Sequence, residues 1–367
     1  MAPTAIPLAE ASPLLQFKSQ TIPTANHQSS TTNPASHPAH PAQKDSDPIP
    51  PLAAALASET TPLAVRFRAL FSLKHHAALQ PADETTVPAI RAIASAFASP
   101  SALLKHELAY CLGQSRKAEA VPYLVDVLRD RKQDDMCRHE AAEALGAIGA
   151  EGTLPVLKEF LGDKVEVVRE TAEIAVARIE WAERQKRSAT GAEITKQSDF
   201  ASVDPAPPVE VGGVHQIEEL QRQLMDAGRN LFERYRAMFA LRDLASPPDL
   251  PTAVPAVRAL ATGFKDKSAL FRHEVAFVYG QLSHPASIPF LIEVLADLGE
   301  ESMVRHEAAE ALGSLGEEEG VEEVLRRYLN DDKEVVRDSV IVALDMAEYE
   351  RSGLQEYAVL PEEQAAS

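Results

Sequence analysis

The sequence is short of cysteine, of aromatic residues and of clustered positive charge, and each shortage narrows the choice of fold and partner. Only two cysteines, Cys111 and Cys137, occur in 367 residues, and they form no CxxC pair. No disulfide framework is implied, and a reducing compartment fits. Aromatic residues make up 5% of the chain, with a single Trp, against 45% hydrophobic residues in all. A core rich in Ala, Leu and Val suits the close packing of helices better than a β-sandwich. Lys and Arg number 36 against 55 Asp and Glu, for a net charge of -19. No basic cluster is dense enough to neutralise phosphates, so nucleic acid is not an expected partner. A basic peptide or protein surface is the better electrostatic match. No apolar run approaches the roughly 20 residues needed to span a bilayer, and no charged start followed by an apolar core marks a secretory signal. The expectation is a soluble, monomeric protein of the cytoplasm, extending to the nucleus, with no membrane partner.

Organisation follows from composition and period. Residues 1–50 are dominated by Pro, Ser, Thr, Ala and His, as in HQSSTTNPASHPAHPAQ, and are expected to be a disordered tail. His27, His37 and His40 read as solvated tail residues. From Pro51 helical periodicity begins: VRFRALFSL places Val65, Ala69 and Leu73 on one stripe. His75 and His76 stand near that helix's C-terminus, where they interact with its dipole and water. Pro88, Pro122 and Pro155 mark helix starts, and Gly113, Gly146 and Gly149 mark helix ends. Residues 184–228 lose the pattern and read as a flexible linker carrying a surface His215. The second half, 229–350, replays the first half, 51–183: ERYRAMFALRDL matches VRFRALFSL, IPFLIEVLAD matches VPYLVDVLRD, and EVVRDSVIVALDMAEYE matches EVVRETAEIAVARIEW. His284 falls in a turn and reads as exposed, and 351–367 is an acidic tail. Two helices per unit at a period in the thirties is the pattern of an all-α solenoid. The expected count is eight helical hairpins in two duplicated halves of four. The form (V/M)RxEAAxALGxIG…VPxLxxxLxD resembles the short HEAT-like repeats first noted in phycobilin lyases.

One dipeptide stands out from this background. His-Glu occurs at His106-Glu107, His139-Glu140, His273-Glu274 and His306-Glu307, in LLKHELAYCLG, MCRHEAAEALGAIG, LFRHEVAFVYG and MVRHEAAEALGSLG. Members of a pair are 33 residues apart and the pairs 167 apart. The array supplies its own control. The first unit of each half has Arg66-Phe67-Arg68-Ala69 and Arg234-Tyr235-Arg236-Ala237 at the aligned positions; the last has Arg169-Glu170-Thr171-Ala172 and Arg337-Asp338-Ser339-Val340. The scaffold therefore needs neither His nor Glu there, and helix surface alone does not explain why both middle units of both halves carry the pair.

Imidazole and carboxylate together point to metal. Successive helical residues aim about 100° apart, so His and Glu of one pair serve different directions. His106 and His139 lie on equivalent faces of helices roughly 10 Å apart and can meet at one ion, as can His273 and His306. If the halves face each other across a pseudo-two-fold axis, two metal positions lie close together, rimmed by four carboxylates. The absence of thiolate argues against structural zinc, and bridging carboxylates with open positions suit iron and oxygen. Manganese or a two-zinc hydrolase site remains compatible with the ligands alone.

Four His-Glu motifs in a duplicated HEAT-like array, with HELAYCLGQ in the first half and RHEAAEALG in both, resemble the deoxyhypusine hydroxylases over about residues 60–350. The resemblance implies an iron-dependent monooxygenase holding two iron ions and using O₂ and an electron donor. Its protein substrate would be translation initiation factor 5A, hydroxylated on a deoxyhypusine side chain to give hypusine. The implied metal residues are His106, Glu107, His139, Glu140, His273, Glu274, His306 and Glu307. Within that set, the difference between the HELAY/HEVAF and HEAAE classes suggests Glu107 and Glu274 for iron, and Glu140 and Glu307 for the substrate amines. Two other readings compete: a non-enzymatic protein-binding scaffold that treats His-Glu as surface, and a bilin-lyase-like protein, which predicts no clustered ligands.

Overall fold

A computed structural model describes residues 47–188, 200, 202–209 and 216–352. Among these, regular structure is helical, with no strand. The helices are α1 (Ile49–Ala57), α2 (Leu63–Ala78), α3 (Thr86–Ser95), α4 (Ala102–Ser115), α5 (Val121–Arg129), α6 (Asp135–Ile148), α7 (Leu154–Glu159) and α8 (Glu166–Ser188) in the first half. The second half holds α9 (Gln216–Met225), α10 (Leu231–Leu244), α11 (Ala253–Ala261), α12 (Ala269–Leu282), α13 (Ile288–Ala296), α14 (Ser302–Gly313), α15 (Val321–Arg326) and α16 (Glu334–Ser352).

Local chemistry sets these boundaries. Proline at the first turn opens α5, α7 and α13, where its missing N–H costs nothing. Ser101 and Ser268 cap α4 and α12 by accepting from Leu104 N–H and Phe271 N–H. Of the three glycines expected at helix ends, only Gly149 is one, in the left-handed conformation after α6. Gly113 and Gly146 lie inside helices, at the points of closest approach. A Cβ on Gly113 would stand 2.7 Å from Ala144 Cα, and one on Gly146 would stand 2.9 Å from Ala175 Cβ. They are glycine because backbones nearly touch there.

Each odd-numbered helix packs on the even-numbered helix that follows it, and the even-numbered helices stack side by side along the array. A repeated staple fixes every second pair. Arg66, Arg138, Arg234 and Arg305 donate from Nε to the carbonyl ten residues earlier, those of Leu56, Leu128, Leu224 and Leu295, at 2.8–3.2 Å. Their other nitrogens reach acids: Arg138 to Asp163 and Arg305 to Asp331, both buried pairs. These arginines are anchors of the hairpin, which is why His-free units keep them.

The stack closes on itself. α8 packs on α10 and α12, and α16 packs back on α2 and α4, so the inner helices form a ring. Polar contacts sew its two seams. Arg68 pairs with Asp345 at 2.6 Å, Ser101 Oγ donates to Asp338 at 3.0 Å, and Ser268 Oγ donates to Glu170 at 2.7 Å. The last two are counterparts under the internal duplication.

The stretch 184–228 differs from the expected flexible linker. α8 runs on to Ser188, and α9 is an amphipathic helix that buries Leu220 and Leu224 against α10 and α11. Residues 202–209 dock on the ring. Gln114 accepts from Val203 N–H at 2.8 Å and donates to its carbonyl at 3.4 Å, and Gln281 donates to Ser202 Oγ at 2.7 Å. Fully buried Arg242 donates to Asp204 at 2.8 Å and to Gln281 at 2.9 Å, and stacks over Phe200 and Phe239. Little in the composition signals this, because the segment is held through its backbone and two polar side chains rather than by an apolar stripe. The calls on the N-terminal tail up to residue 46, on His215 and on residues 353–367 lie outside the described residues.

Candidate metal centre

The four His-Glu pairs sit one turn into inner helices: His106 on α4, His139 on α6, His273 on α12 and His306 on α14. All eight side chains are buried. Ring closure brings the four imidazoles into one cluster. His106 and His139 have ring centroids 5.3 Å apart with planes at 44°, and His273 and His306 repeat both values. Between halves, His106 lies 5.4 Å from His306 and 5.8 Å from His273, and His139 lies 5.5 Å from His273, all edge-on. The matched geometry within halves pairs His106 with His139 and His273 with His306, while the contacts between halves join the two pairs into one centre.

The carboxylates differ in how closely they approach the rings. Glu140 Oε2 stands 3.2 Å from His106 Nε2, and Glu307 Oε2 stands 3.3 Å from His273 Nε2. A donor atom each from His106, His139 and Glu140 falls within 4.8 Å of the other two. The same holds for His306, Glu307 and Glu310, and for His106, His273 and His306 across the halves; Glu107 and Glu274 enter no such group among the described residues. The reason is the stagger between neighbouring helices. The carboxylate that follows a histidine turns toward the adjacent helix, so Glu140 meets the histidine of the unit before it as well as its own.

Burial makes this cluster a site for a cation. Both ring nitrogens of His139, Nε2 of His306 and Oε1 of Glu274 are buried with no hydrogen-bond partner. Each such orphan costs about 1–3 kcal/mol unless something ligates it. His139 is held well below the ordinary imidazole range by burial, reinforced by His273 and His306 and opposed by Glu307. It is therefore a neutral ring with lone pairs to give. Glu274 is pushed well above the usual carboxylate range by burial first, then by Glu143, Asp204 and Glu307, with Arg242 opposing. Glu143 on α6 is raised likewise, by burial and by Glu140, with Arg178 opposing. Carboxylates that repel one another and a His139 ring that resists protonation both relax when divalent metal supplies the missing positive charge. The donor set, imidazole and carboxylate without thiolate, fits iron and equally other borderline divalent ions. Cys111 and Cys137 are buried, and burial pushes the Cys137 thiol up to about 12, so Cys137 supplies no thiolate here.

Three functional positions escaped the reading of single motifs. Glu143 and Glu310 occupy the fifth place of HEAAE in both halves, four residues after a histidine, where the other two motifs carry Tyr110 and Phe277. Ser339 on α16 occupies the Glu position of a His-free unit and approaches His306 Nδ1 at 3.4 Å. His284, expected in an exposed turn, is buried and accepts from Ala286 N–H through Nδ1, a capping role away from the centre.

One mouth of the ring opens at the N-terminal ends of the helices that carry the cluster. The N-terminal ends of α4, α6, α8, α12, α14 and α16 frame a concavity of about 380 Å³, with Asp134, Asp135, Glu166 and Glu301 on its wall. The docked segment 202–209 lies at the opposite end of these helices, held by Gln114 and Gln281, each eight residues beyond a cluster histidine.

Comparison with known proteins bears on this centre. Residues 87–177 and 257–345 match the HEAT repeats family, one block in each half. A deoxyhypusine hydroxylase of Phaeosphaeria nodorum is 64% identical over 320 residues, covering 86% of this chain and 96% of that one. The deoxyhypusine hydroxylase of Neurospora crassa is 63% identical, covering 86% of this chain and 97% of the other. The chain belongs to the deoxyhypusine hydroxylase family. The structure of human deoxyhypusine hydroxylase in complex with glycerol is also similar, with 44% identity and a TM-score of 0.73. It covers 82% of this chain and 96% of the human one. A deoxyhypusine hydroxylase is a hydroxylating enzyme, which separates this chain from a HEAT array that only binds protein.

Proposed function

We propose that this chain hydroxylates the deoxyhypusine side chain of translation initiation factor 5A, completing hypusine. Its family supports this reading, and the observation that carries the chemistry is the convergence of four buried imidazoles from both halves. A scaffold that bound only protein would have no reason to bury such a cluster with unpartnered ring nitrogens.

His106, His139 and Glu140 would hold one metal ion, and His273, His306 and Glu307 the other. Two iron ions, when bound, would supply the dioxygen activation, with an external electron donor, that insertion of oxygen into a C–H bond needs. The chain's own residues do the rest. The concavity at the N-terminal ends of the inner helices admits the extended side chain, and its acidic wall attracts a basic protein surface. Glu107 and Glu274, buried beside the cluster and outside the ligand groups, are placed to accept hydrogen bonds from the substrate amines. Segment 202–209 closes the far side and keeps bulk water from the centre. One chain supplies all eight residues, which fits a monomer. Two buried cysteines outside any CxxC pattern fit a cytoplasmic and nuclear location.

The test is metal analysis beside turnover. Purified wild type should carry two iron ions per chain and convert a deoxyhypusine-bearing factor 5A, while His106→Ala should lose both properties. Wild type that folds yet takes up no iron under anaerobic reconstitution sinks the reading.

A further inference from the structure

The internal duplication makes the two ligand sets nearly equivalent, and the residues behind them break that equivalence. On the second-half side, Ser339 Oγ donates to Glu310 Oε1 at 3.2 Å and lies 3.4 Å from His306 Nδ1. Glu310 Oε1 is itself 3.6 Å from that nitrogen. Ser339 is fully buried and Glu310 nearly so. A hydroxyl that gives its proton to a carboxylate has its lone pairs left for an N–H, so the chain runs from His306 Nδ1–H to Ser339 Oγ–H to Glu310. That fixes the tautomer and leaves Nε2, which has no hydrogen-bond partner, facing the cluster unprotonated.

The first half offers the same residue classes in a different arrangement. Thr171 is the counterpart of Ser339, but its hydroxyl donates back to Val167 O at 2.7 Å on its own helix. Glu143, the counterpart of Glu310, has Arg178 as its compensating cation. His139 Nδ1 has no hydrogen-bond partner at all. One imidazole is braced and the other is not.

We propose that Ser339 and Glu310 are positioning residues that make the His273–His306–Glu307 position the tighter of two inequivalent metal positions. The His106–His139–Glu140 position, lacking the brace, fills second and empties first. A carboxylate behind a ligating imidazole orients the ring and raises its basicity, and removing such a partner typically weakens binding by about 10–100-fold. The proposal rests on the metal reading above, and metal binding itself tells the two apart.

The experiment is an anaerobic titration of metal-free full-length protein with Co²⁺, read from its visible ligand-field bands, with helical content checked by circular dichroism. Wild type should load in two resolved steps. Ser339→Ala should weaken the first step by about 10–100-fold and leave the second in place. Glu310→Gln, which keeps the side chain's shape, should do the same and stands in if Ser339→Ala fails to fold. Ser339→Thr should restore the wild-type curve, and Thr171→Ala should leave both steps unmoved. Two indistinguishable steps in wild type, or unchanged first-step affinity in Ser339→Ala and Glu310→Gln, overturns the inference. Failure of wild type to bind any Co²⁺ or Fe²⁺ overturns the metal reading itself.

Discussion

Four imidazoles in mutual contact and four carboxylates around them would be a poor way to fill a protein interior for stability alone. Burial and the neighbouring rings hold His139 neutral, and burial beside other acids raises Glu274. The arrangement is destabilising by itself and becomes favourable with bound cations. Two predictions belong at this scale. Glu140→Ala should reduce bound iron to one equivalent or less while Glu107→Ala keeps both, with factor 5A binding lost instead; metal analysis beside a pull-down with deoxyhypusine-bearing substrate separates them. The second concerns pH. His139 has a folded-state pKa below its ordinary 6.5, so the unfolded chain binds more protons than the folded one as pH falls through that value. The stabilisation is fully present above about 6.5 and is lost as pH drops toward the folded value. Metal-free wild type should show a falling thermal midpoint below about pH 6.5, and His139→Gln a shallower fall; equal slopes would contradict the assignment. Sequence singled out these eight residues, because the His-free units served as a control. It did not show which carboxylate turns toward which imidazole, since that depends on the stagger between helices, which no single motif contains.

At the scale of the element, the hairpin is held by two devices of different visibility. The Arg staple is regular in sequence but has no meaning there, because its acceptor is a main-chain carbonyl ten residues back. Gly149 ends its helix as its residue type suggests, while Gly113 and Gly146 serve close approach instead: helix-end chemistry and close approach call for the same residue. Gly113→Ala should cost about 1–3 kcal/mol, since the new methyl would meet Ala144 of the neighbouring helix. Gly152→Ala, with open space around it, should be nearly neutral; urea denaturation of the pair decides. Helix starts were legible where proline marked them, and the serine caps and the eight-residue His-to-Gln spacing that seats Val203 were not.

For the molecule as a whole, period and duplication announced an all-α solenoid, while nothing in a repeat says whether its ends meet. That outcome depends on the accumulated rotation per unit and on the seam residues, such as Arg68 with Asp345. The docked connector was hidden for a related reason: its partners, Arg242 and Gln281, lie in helices whose pattern was already explained by packing. Asp204→Ala should take from fully buried Arg242 one of its two carboxylate contacts, leaving the one with the partly exposed Asp243. A loss near the lower end of the roughly 3–5 kcal/mol seen for broken buried pairs is expected, measured by chemical denaturation of both halves together.

Closure also limits how such a chain can change length over evolutionary time. Open repeat arrays gain and lose units readily, because each unit answers only to its neighbours. Here an extra hairpin between α12 and α14 would carry His306 about 10 Å from His273 and unseat Arg68 from Asp345. A whole hairpin cannot be added or lost without disturbing the centre, whereas a longer surface loop leaves the ring's contacts in place. The number of hairpins is fixed by the chemistry at the centre rather than by the stability of the array.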